Sequence, residues 1–406
     1  MKSKTLEKGG FILSYGLIVM AFSHTLTHVL ARIHTSIFPI LRDEFNLSLT
    51  QLGIIAAIPP LCQVLLTIPM GLLSDRIGSK KMVLASLAFA AIGSVLASLA
   101  FNPITIIIAV SLVYINTTIY HPAAYSFTTK LFKPRDRPKA LGVHGAGGTF
   151  GYALGPISVG ILMGLLAFKW QQVYLFWLFP IIFGIASVLL LKSSEDVSEE
   201  VSVKEEPKDS DGEGKFLSRS LIMFLVYRGL RSMGRDMIAS FLVIFLVDVI
   251  GLTESISSFI YGGNNLMGLM AAPLGGLLAS RMGEKRWLLS VLFISYLFLA
   301  ASVLTKNTAL FVAFYLAHGF FSFLGMAANS AIIARLTPRR QRGLGYALFF
   351  LPPSIMGALS PIVAAFIGET FGLENIFLAS IAVYFIGLLV VKFGVKIGSS
   401  EVEIVG

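Results

Sequence analysis

The chain has 406 residues, of which 55% are hydrophobic and only 13% are charged, and its mean hydropathy is +0.81. Soluble globular proteins carry about a quarter charged residues, so this composition excludes that class and indicates a polytopic membrane protein. The single cysteine, Cys62, excludes an intramolecular disulfide and a cysteine-based metal site.

Hydrophobic runs long enough to cross a bilayer, which takes about 20 residues, occur twelve times along the chain. The first run continues too far for a cleaved signal peptide, so we expect it to be retained as a span. The sequence therefore predicts an all-α polytopic protein with twelve transmembrane helices, over residues 10–41, 49–73, 82–101, 104–131, 140–167, 170–192, 216–246, 253–279, 287–305, 308–336, 344–371 and 375–396.

A polar stretch separates the sixth span from the seventh. Residues 192–215 lack hydrophobic periodicity and are rich in acidic residues, a composition typical of a disordered linker. We therefore divide the chain into an N-terminal six-helix bundle, residues 1–191, the acidic linker, residues 192–215, a C-terminal six-helix bundle, residues 216–396, and a tail, residues 397–406.

The high net charge of +10 reflects the two sides of the membrane rather than a nucleic-acid-binding surface. Nearly all lysines and arginines of the loops fall in segments that twelve crossings place on one side. By the positive-inside rule, both termini and the linker are predicted to be cytoplasmic. We expect a multi-pass protein of the cell membrane without a nucleic-acid partner.

The two halves of the chain repeat at a constant offset of 205 residues. The stretch Gly71–Lys81, GLLSDRIGSKK, aligns with Gly276–Arg286, GLLASRMGEKR, and Pro156 aligns with Pro361. An ungapped offset over several spans indicates a duplicated six-helix unit. Transporters built from such repeats bind their substrate near the membrane midplane, between the repeats.

The stretch from Gly71 to Lys81 resembles the signature that the major facilitator superfamily carries between its second and third helices. Ser74 and Ser79 depart from that pattern. The resemblance covers essentially the whole chain and implies two pseudo-symmetric six-helix bundles. It also implies a gating role for Gly71, Asp75, Arg76, Gly78 and Lys80.

The fifth span carries regularly spaced glycines that resemble a pattern of the antiporters of this superfamily. Gly151, Gly155 and Pro156 are its central residues, and the resemblance implies that they take part in gating. Small residues on one face also let two helices pack closely, which explains the pattern equally well. Short motifs of the first, fourth and fifth spans resemble the fosmidomycin-resistance-like branch of drug exporters: Ser23-His24 with His28, Tyr120-His121-Pro122, and Gly147 to Gly151.

The seventh span has four charged residues at membrane depth: Arg228, Arg231, Arg235 and Asp236. Ionisable groups cost at least a few kcal/mol there, so they usually face a wet cavity and serve a function. This span is therefore predicted to handle the substrate and the coupling ion.

The first span carries a second polar face. His24, His28 and Arg32 recur every fourth residue and lie along one side of a helix. The repeat places this face at a depth similar to that of the charges of the seventh span.

The charges of these two spans predict an anion site. Four arginines stand against one deep carboxylate, and the planar guanidinium suits a carboxylate, phosphate or phosphonate. A purely structural network of ion pairs is the alternative. The residues predicted to bind substrate are Arg32, Arg228, Arg231, Arg235, His24, His28 and Tyr227; among the other tyrosines, Tyr120, Tyr125, Tyr152 and Tyr346 are further candidates.

Two kinds of group can carry a coupling proton. Asp236 is the deep carboxylate, although the adjacent arginines favour its ionised form. Histidine has an unperturbed pKa of about 6.5 and changes charge near physiological pH. The predicted proton-coupling residues are Asp236, His24, His28 and His121, and the division of labour among them stays open.

Together these features predict a secondary transporter that works by alternating access, exporting a small organic anion or drug in a proton-coupled manner. Uptake or exchange of an organophosphate or carboxylate is the alternative within transport. A transporter-like sensor or a lipid-handling protein is the alternative of another class. We expect a monomer without enzymatic activity, cofactor or metal, whose partners are protons, membrane lipids and a small, anionic substrate.

Overall fold

The computed structural model describes residues 14–133, 136–191, 217–337 and 342–397, without the side chains of residue 75 and residues 342–347. The linker and the residues from 398 onward lie outside this range. The described chain forms the helices α1 Tyr15–Ser36, α2 Phe38–Phe45, α3 Leu49–Ile77, α4 Ser79–Ser98, α5 Pro103–Lys130, α6 Arg137–Gly164, α7 Trp170–Leu189, α8 Arg219–Asp248, α9 Glu254–Met282, α10 Glu284–Leu304, α11 Thr308–Leu324, α12 Met326–Leu336, α13 Arg342–Phe371 and α14 Leu373–Leu389, the last continued by a π-helical turn, Val390–Gly394.

These helices follow the twelve predicted spans and confirm the all-α fold class. The first span is divided into α1 and α2, and the tenth into α11 and α12. Ten stretches of the described residues are long and apolar enough to cross a membrane. The seventh and eighth spans, α8 and α9, have 30 and 29 residues but fall outside that set. For α8, the reason is the group of charges in its middle.

The internal repeat is visible in the backbone. Positive φ angles favour glycine and mark sharp changes of chain direction. Among the described residues, six have a positive φ, and they form three pairs that are each 205 residues apart: Asn46 with Gly251, Gly78 with Gly283, and Ala167 with Gly372. The duplication therefore extends to the conformation of individual turns.

The repeat also fixes how the helices begin and end. Ser48 and Thr253 cap the second span of each bundle, α3 and α9, by accepting a hydrogen bond from a backbone N–H. Asn102 and Asn307 do the same for the fourth span of each bundle, α5 and α11. At the other end, the Nζ of Lys80 donates to the Leu189 and Leu191 carbonyls, and that of Lys285 donates to the Lys392 and Val395 carbonyls. Each lysine thereby satisfies carbonyls that the last helix of its bundle leaves without an intrahelical partner.

The two bundles pack through α3 against α13 and through α6 against α9. Hydrogen bonds between described residues of the two bundles lie at one end of the molecule, where α2 leads into α3 and α8 leads into α9. We call this the loop end. There Arg42 donates two hydrogen bonds to the Asp248 carboxylate, and the Thr50 N–H and hydroxyl donate to Glu369 at 2.8 and 2.6 Å.

The opposite end is the one where α7 ends and α8 begins. We call it the linker end. A methyl group built on Gly71, Gly142 or Gly145 would meet no atom within 4 Å. The hydrogen bonds that join the bundles in the described part of the chain thus lie at the loop end, and these three helix positions toward the linker end are free of neighbouring atoms.

The residues assigned to gating occupy several environments. Gly78 has a φ of 91° and forms the turn between α3 and α4, as a tight reversal requires. Arg76 is exposed, and the side chain of Asp75 lies outside the described part. Lys80 holds the end of α7 within its own bundle.

The glycines of α6 let this helix pack directly on the backbone of α1. A Cβ on Gly151 or Gly155 would lie 2.4 Å from the carbonyl oxygen of Thr25 or Val29. Such a distance is far below van der Waals contact, so only glycine fits these positions. The glycine pattern of the fifth span thus serves close helix packing inside the N-terminal bundle.

Candidate substrate cavity

A cavity of about 190 Å³ lies between the bundles. Its wall combines charged, aromatic and proline side chains from both halves of the chain. The lining residues include His28, Arg32, His34, Pro60, Gln63, Tyr114, Thr117, His121, Tyr152, Arg235, Asp236, Ser240, Pro353 and Gly357.

Arg235 and Asp236 form a bidentate ion pair on the wall that α8 contributes. The Arg235 Nε lies 2.9 Å from Asp236 Oδ1, and its Nη2 lies 3.0 Å from Oδ2. The Ser232 hydroxyl donates to the same carboxylate at 2.9 Å. The Arg235 side chain is 59% exposed and that of Asp236 only 11%, so the wall presents a guanidinium edge in front of a neutralised carboxylate.

Arg32 supplies the second cation of the cavity from α1. Its guanidinium carbon lies 5.0 Å above the centre of the Tyr152 ring, in a cation–π contact. Arg32 also lies within electrostatic reach of Asp236, although the two form no ion pair in the described structure. Its side chain makes no hydrogen bond to a described residue, which leaves its N–H groups available to a ligand.

Two further arginines from the middle of α8, Arg228 and Arg231, are not part of this wall. Arg231 donates through Nη2 to the Ser322 carbonyl and hydroxyl, both at 3.0 Å, inside the C-terminal bundle. The Arg228 guanidinium lies 4.0 Å above the Phe349 ring. Tyr227 is fully buried and donates to Asn329 at 3.1 Å. None of these three predicted substrate residues is among the lining residues of the cavity.

Beside the cavity, His24 and His28 form a hydrogen-bonded pair in α1. His24 Nδ1 lies 2.7 Å from the His144 carbonyl, which can only accept, so this nitrogen carries the proton. Neutral His24 then accepts through Nε2 from His28 Nε2–H at 3.0 Å. Neutral His28 is therefore left with an unprotonated Nδ1, which is buried and has no hydrogen-bond partner.

Histidines from two other helices close this group. The His144 ring of α6 stacks on His24 at 4.2 Å, and the His121 ring of α5 meets His24 and His28 edge-on at 5.2 and 5.1 Å. Gly148 makes room for the stack, since a Cβ there would lie 2.6 Å from the His24 ring. The structure thus brings together the predicted proton residues His24, His28 and His121 and adds His144, while Asp236 lies on the other bundle.

The same imidazoles have the donor atoms of a transition-metal site. One ring nitrogen from each of His24, His28 and His121 lies within 4.8 Å of the others, and imidazole suits zinc, copper or nickel. In this arrangement, a hydrogen bond already engages the facing Nε2 atoms of His24 and His28. The Nδ1 of His28 has no hydrogen-bond partner and has the lone pair that can accept a proton.

Several residues that line the cavity could not be identified as binding residues from the sequence. Tyr114 and Gln63 line the cavity, but polar aromatic and amide side chains are also common elsewhere in this chain. Tyr152 is one of five tyrosines that the sequence offers for substrate binding. Only the orientation of its helix shows that its ring touches both Arg32 and His28.

The family model described as Major Facilitator Superfamily matches residues 20–230 and 224–402 of the chain. Among curated proteins, the fosmidomycin resistance protein of Escherichia coli is 24% identical over 151 residues, which cover 37% of each chain. The multidrug resistance protein 1 of Bacillus subtilis is 25% identical over 232 residues, 57% of this chain and 58% of that protein. The matches thus span between about a third and three fifths of these relatives.

Solved structures match over nearly the whole chain. A bacterial homologue of the human lysosomal transporter Spinster, crystallised in an inward-facing and occupied conformation, superposes with a TM-score of 0.76 at 18% identity. The match covers 95% of this chain and 97% of that one. The unoccupied inward-facing form of that homologue gives a TM-score of 0.74. At this identity the likeness establishes the fold.

Proposed function

Because the chain belongs to the Major Facilitator Superfamily, we propose that this membrane transporter exports a small organic anion, or a drug with an anionic group, in exchange for protons. The observation that carries the proposal is the charge balance of the cavity wall. Two guanidiniums, of Arg32 and Arg235, face one carboxylate, and that carboxylate is already paired. One positive charge is left for a ligand to neutralise.

The geometry suits a ligand held between the two bundles. Nη1 of Arg235 has two N–H groups that make no bond to a described residue, and the whole Arg32 guanidinium is similarly available. A carboxylate, phosphate or phosphonate can accept from both arginines at once. Such a ligand would bridge α1 and α8 and favour the closure that alternating access requires.

The proton site in this proposal is the buried His24–His28 pair. Its free Nδ1 belongs to His28, which also lines the cavity, so a proton taken up there changes the charge next to Arg32. Asp236 is less suited, because a bidentate arginine and a serine hydroxyl already hold its anionic form.

The proposed direction of transport is export from the side that the linker end faces. If the termini and linker are cytoplasmic, the linker end faces the cytoplasm, and the cavity opens to that side in this conformation. Names of relatives that refer to resistance against fosmidomycin and to multidrug resistance favour export. A proton that displaces the anion at the outer face would drive such an export.

Fosmidomycin, a phosphonate, is a suitable first probe, with inorganic phosphate, benzoate and a cationic drug as comparators. In a thermal-shift assay on purified protein, we expect anions to stabilise the fold, because a ligand that binds only the folded state raises its stability. Arg235→Gln should remove the shift, while Arg231→Gln, which loses contacts inside the C-terminal bundle, among them that with Ser322, should retain it. Stabilisation by the cationic drug alone would contradict the anion site.

Proteoliposomes test the coupling. An imposed pH gradient should drive fosmidomycin out of the compartment that faces the linker end, and fosmidomycin should move protons in the opposite direction. His28→Ala should abolish this exchange of protons for anion, whereas His318→Ala should not, since His318 is hydrogen-bonded to Ser295 inside the C-terminal bundle. Transport that ignores the pH gradient would favour substrate exchange, and movement of both in one direction would favour uptake.

A further inference from the structure

One ring joins the proton site to the anion site. Tyr152 of α6 stacks on His28 with 4.1 Å between ring centres and an interplanar angle of 26°. The same ring lies against the Arg32 guanidinium at 5.0 Å. Tyr152 is therefore in contact with the proposed proton acceptor and with the only cavity arginine that has no ion pair among the described residues.

The charged and titratable groups around His28 and Tyr152 determine the electrostatic effect of a proton on His28. His28 is surrounded by His24 and Arg32 of α1, His121 of α5 and His144 of α6. Around Tyr152 lie, besides Arg32 and His28, Tyr114 of α5, Arg235 and Asp236 of α8, and Tyr261 of α9. Asp236 is the carboxylate in the set around Tyr152, and none is in the set around His28, so positive charge displaced from Tyr152 has Asp236 as its acceptor.

We propose that Tyr152 couples proton binding to anion release by exchanging its cationic partner between Arg32 and His28. This inference rests on the proposed function. With His28 neutral, the negative π face of Tyr152 holds Arg32 and leaves its N–H groups facing the ligand. Protonated His28 becomes a second cation on the same ring. Arg32, repelled by it, moves toward Asp236 and forms an ion pair there.

The exchange makes the proton and the anion mutually exclusive. When Arg32 pairs with Asp236, this one carboxylate serves as the counter-charge of both Arg32 and Arg235. It then replaces the bound anion in that role, and the anion is released. Without Tyr152, the extra charge on His28 would only raise the positive potential of the cavity and would strengthen anion binding. The ring therefore decides whether a proton drives antiport or symport.

Two kinds of substitution at Tyr152 test the proposal: one removes the aromatic ring, and the other keeps the ring but depletes the electron density of its π face. In the wild-type protein the fosmidomycin Kd should rise as the pH falls from about 8 to about 5.5, by at most tenfold per pH unit for one competing proton. Tyr152→Phe keeps the π face and should keep this dependence. Tyr152→Leu should reduce it below twofold or reverse its sign, and fewer protons should move per fosmidomycin in proteoliposomes.

A trifluorinated phenylalanine at position 152 provides the second variant. It has nearly the size of phenylalanine but a depleted π face, so a folding defect cannot account for its behaviour if its thermal stability equals that of Tyr152→Phe. We expect it to resemble Tyr152→Leu. Tyr174→Leu, which removes a buried ring of α7 that does not line the cavity, should keep the wild-type pH dependence.

The outcomes separate this inference from the function on which it rests. If Tyr152→Leu and the fluorinated variant keep the full pH dependence while Arg235→Gln abolishes binding, Tyr152 is not the coupling residue and the anion site stands. If Arg235→Gln binds normally, or the wild-type protein shows no pH dependence, the proposed function itself fails. Loss of coupling in both Tyr152 variants but not in Tyr174→Leu would establish the role.

Discussion

Arg42→Gln tests how the present conformation is stabilised. Arg42 donates twice to Asp248 across the two bundles at the loop end. The side chains are 25% and 28% exposed, so solvent weakens this bidentate pair, and we assign it about 1 kcal/mol. This hydrogen-bonded partner raises the pKa of Arg42 above its ordinary value, so the arginine stays charged at every physiological pH.

The present conformation is closed at the loop end, and alternating access also requires one that is open there. If the closed conformation loses about 1 kcal/mol, the population of the open conformation relative to it rises by about fivefold. The assay uses Ser240→Cys in a Cys62→Ser background. Ser240 lines the cavity and is only 6% exposed here, on the loop-end side of Asp236. A membrane-impermeant maleimide, added on the side that the loop end faces, should label this cysteine about fivefold faster after Arg42→Gln.

Two controls make the result specific. Lys306→Gln removes a basic residue from a turn at the same end without an inter-bundle bond, and it should leave the labelling rate unchanged. The exchange Arg42→Asp with Asp248→Arg should restore slow labelling. If Arg42→Gln labels no faster than the control, the pair does not hold this conformation, and the contacts of α3 with α13 and of α6 with α9 must suffice.

Two further predictions concern the repeat and its packing. Gly151→Ala places a methyl group 2.4 Å from the Thr25 carbonyl oxygen and should destabilise the protein by about 1–3 kcal/mol. Gly145→Ala meets open space and should be neutral or slightly stabilising. Thermal unfolding in detergent measures both variants, and equal melting temperatures would contradict the close packing of α6 on α1. Lys285→Met removes the donor to the Lys392 and Val395 carbonyls and should lower the stability of the protein by about 1 kcal/mol. Lys80→Met in the other bundle should have the same effect. If only one of the two variants is destabilised, the repeated contact is not equivalent in the two bundles.

Local properties of the sequence determined much of this protein. Hydropathy gave the spans, because each span must be apolar over a fixed length whatever its neighbours are. The offset of 205 residues, read from Gly71–Lys81 and its copy, reappears in the turns at Gly78 and Gly283. Of the polar residues that the sequence singles out on α1 and α8, His28, Arg32, Arg235 and Asp236 line the cavity.

The roles of individual side chains were decided by the tertiary structure. Arg231 and Arg235 lie one turn apart in the same apolar segment, yet one bonds Ser322 within its bundle and the other faces the cavity. Which of them faces the cavity depends on the rotation of α8 about its axis, and contacts with distant helices set that rotation. Sequence spacing along one helix carries no such information.

The contact of Tyr152 with both His28 and Arg32 has the same origin. Residues 28 and 152 are far apart in the chain and come together because the glycines of α6 allow its backbone to approach α1. The sequence by itself determined where the charges lie along each span and that two equivalent bundles would face each other. Only packing between helices decided which of those charges meet, since a side chain's neighbours depend on helix rotation and close approach.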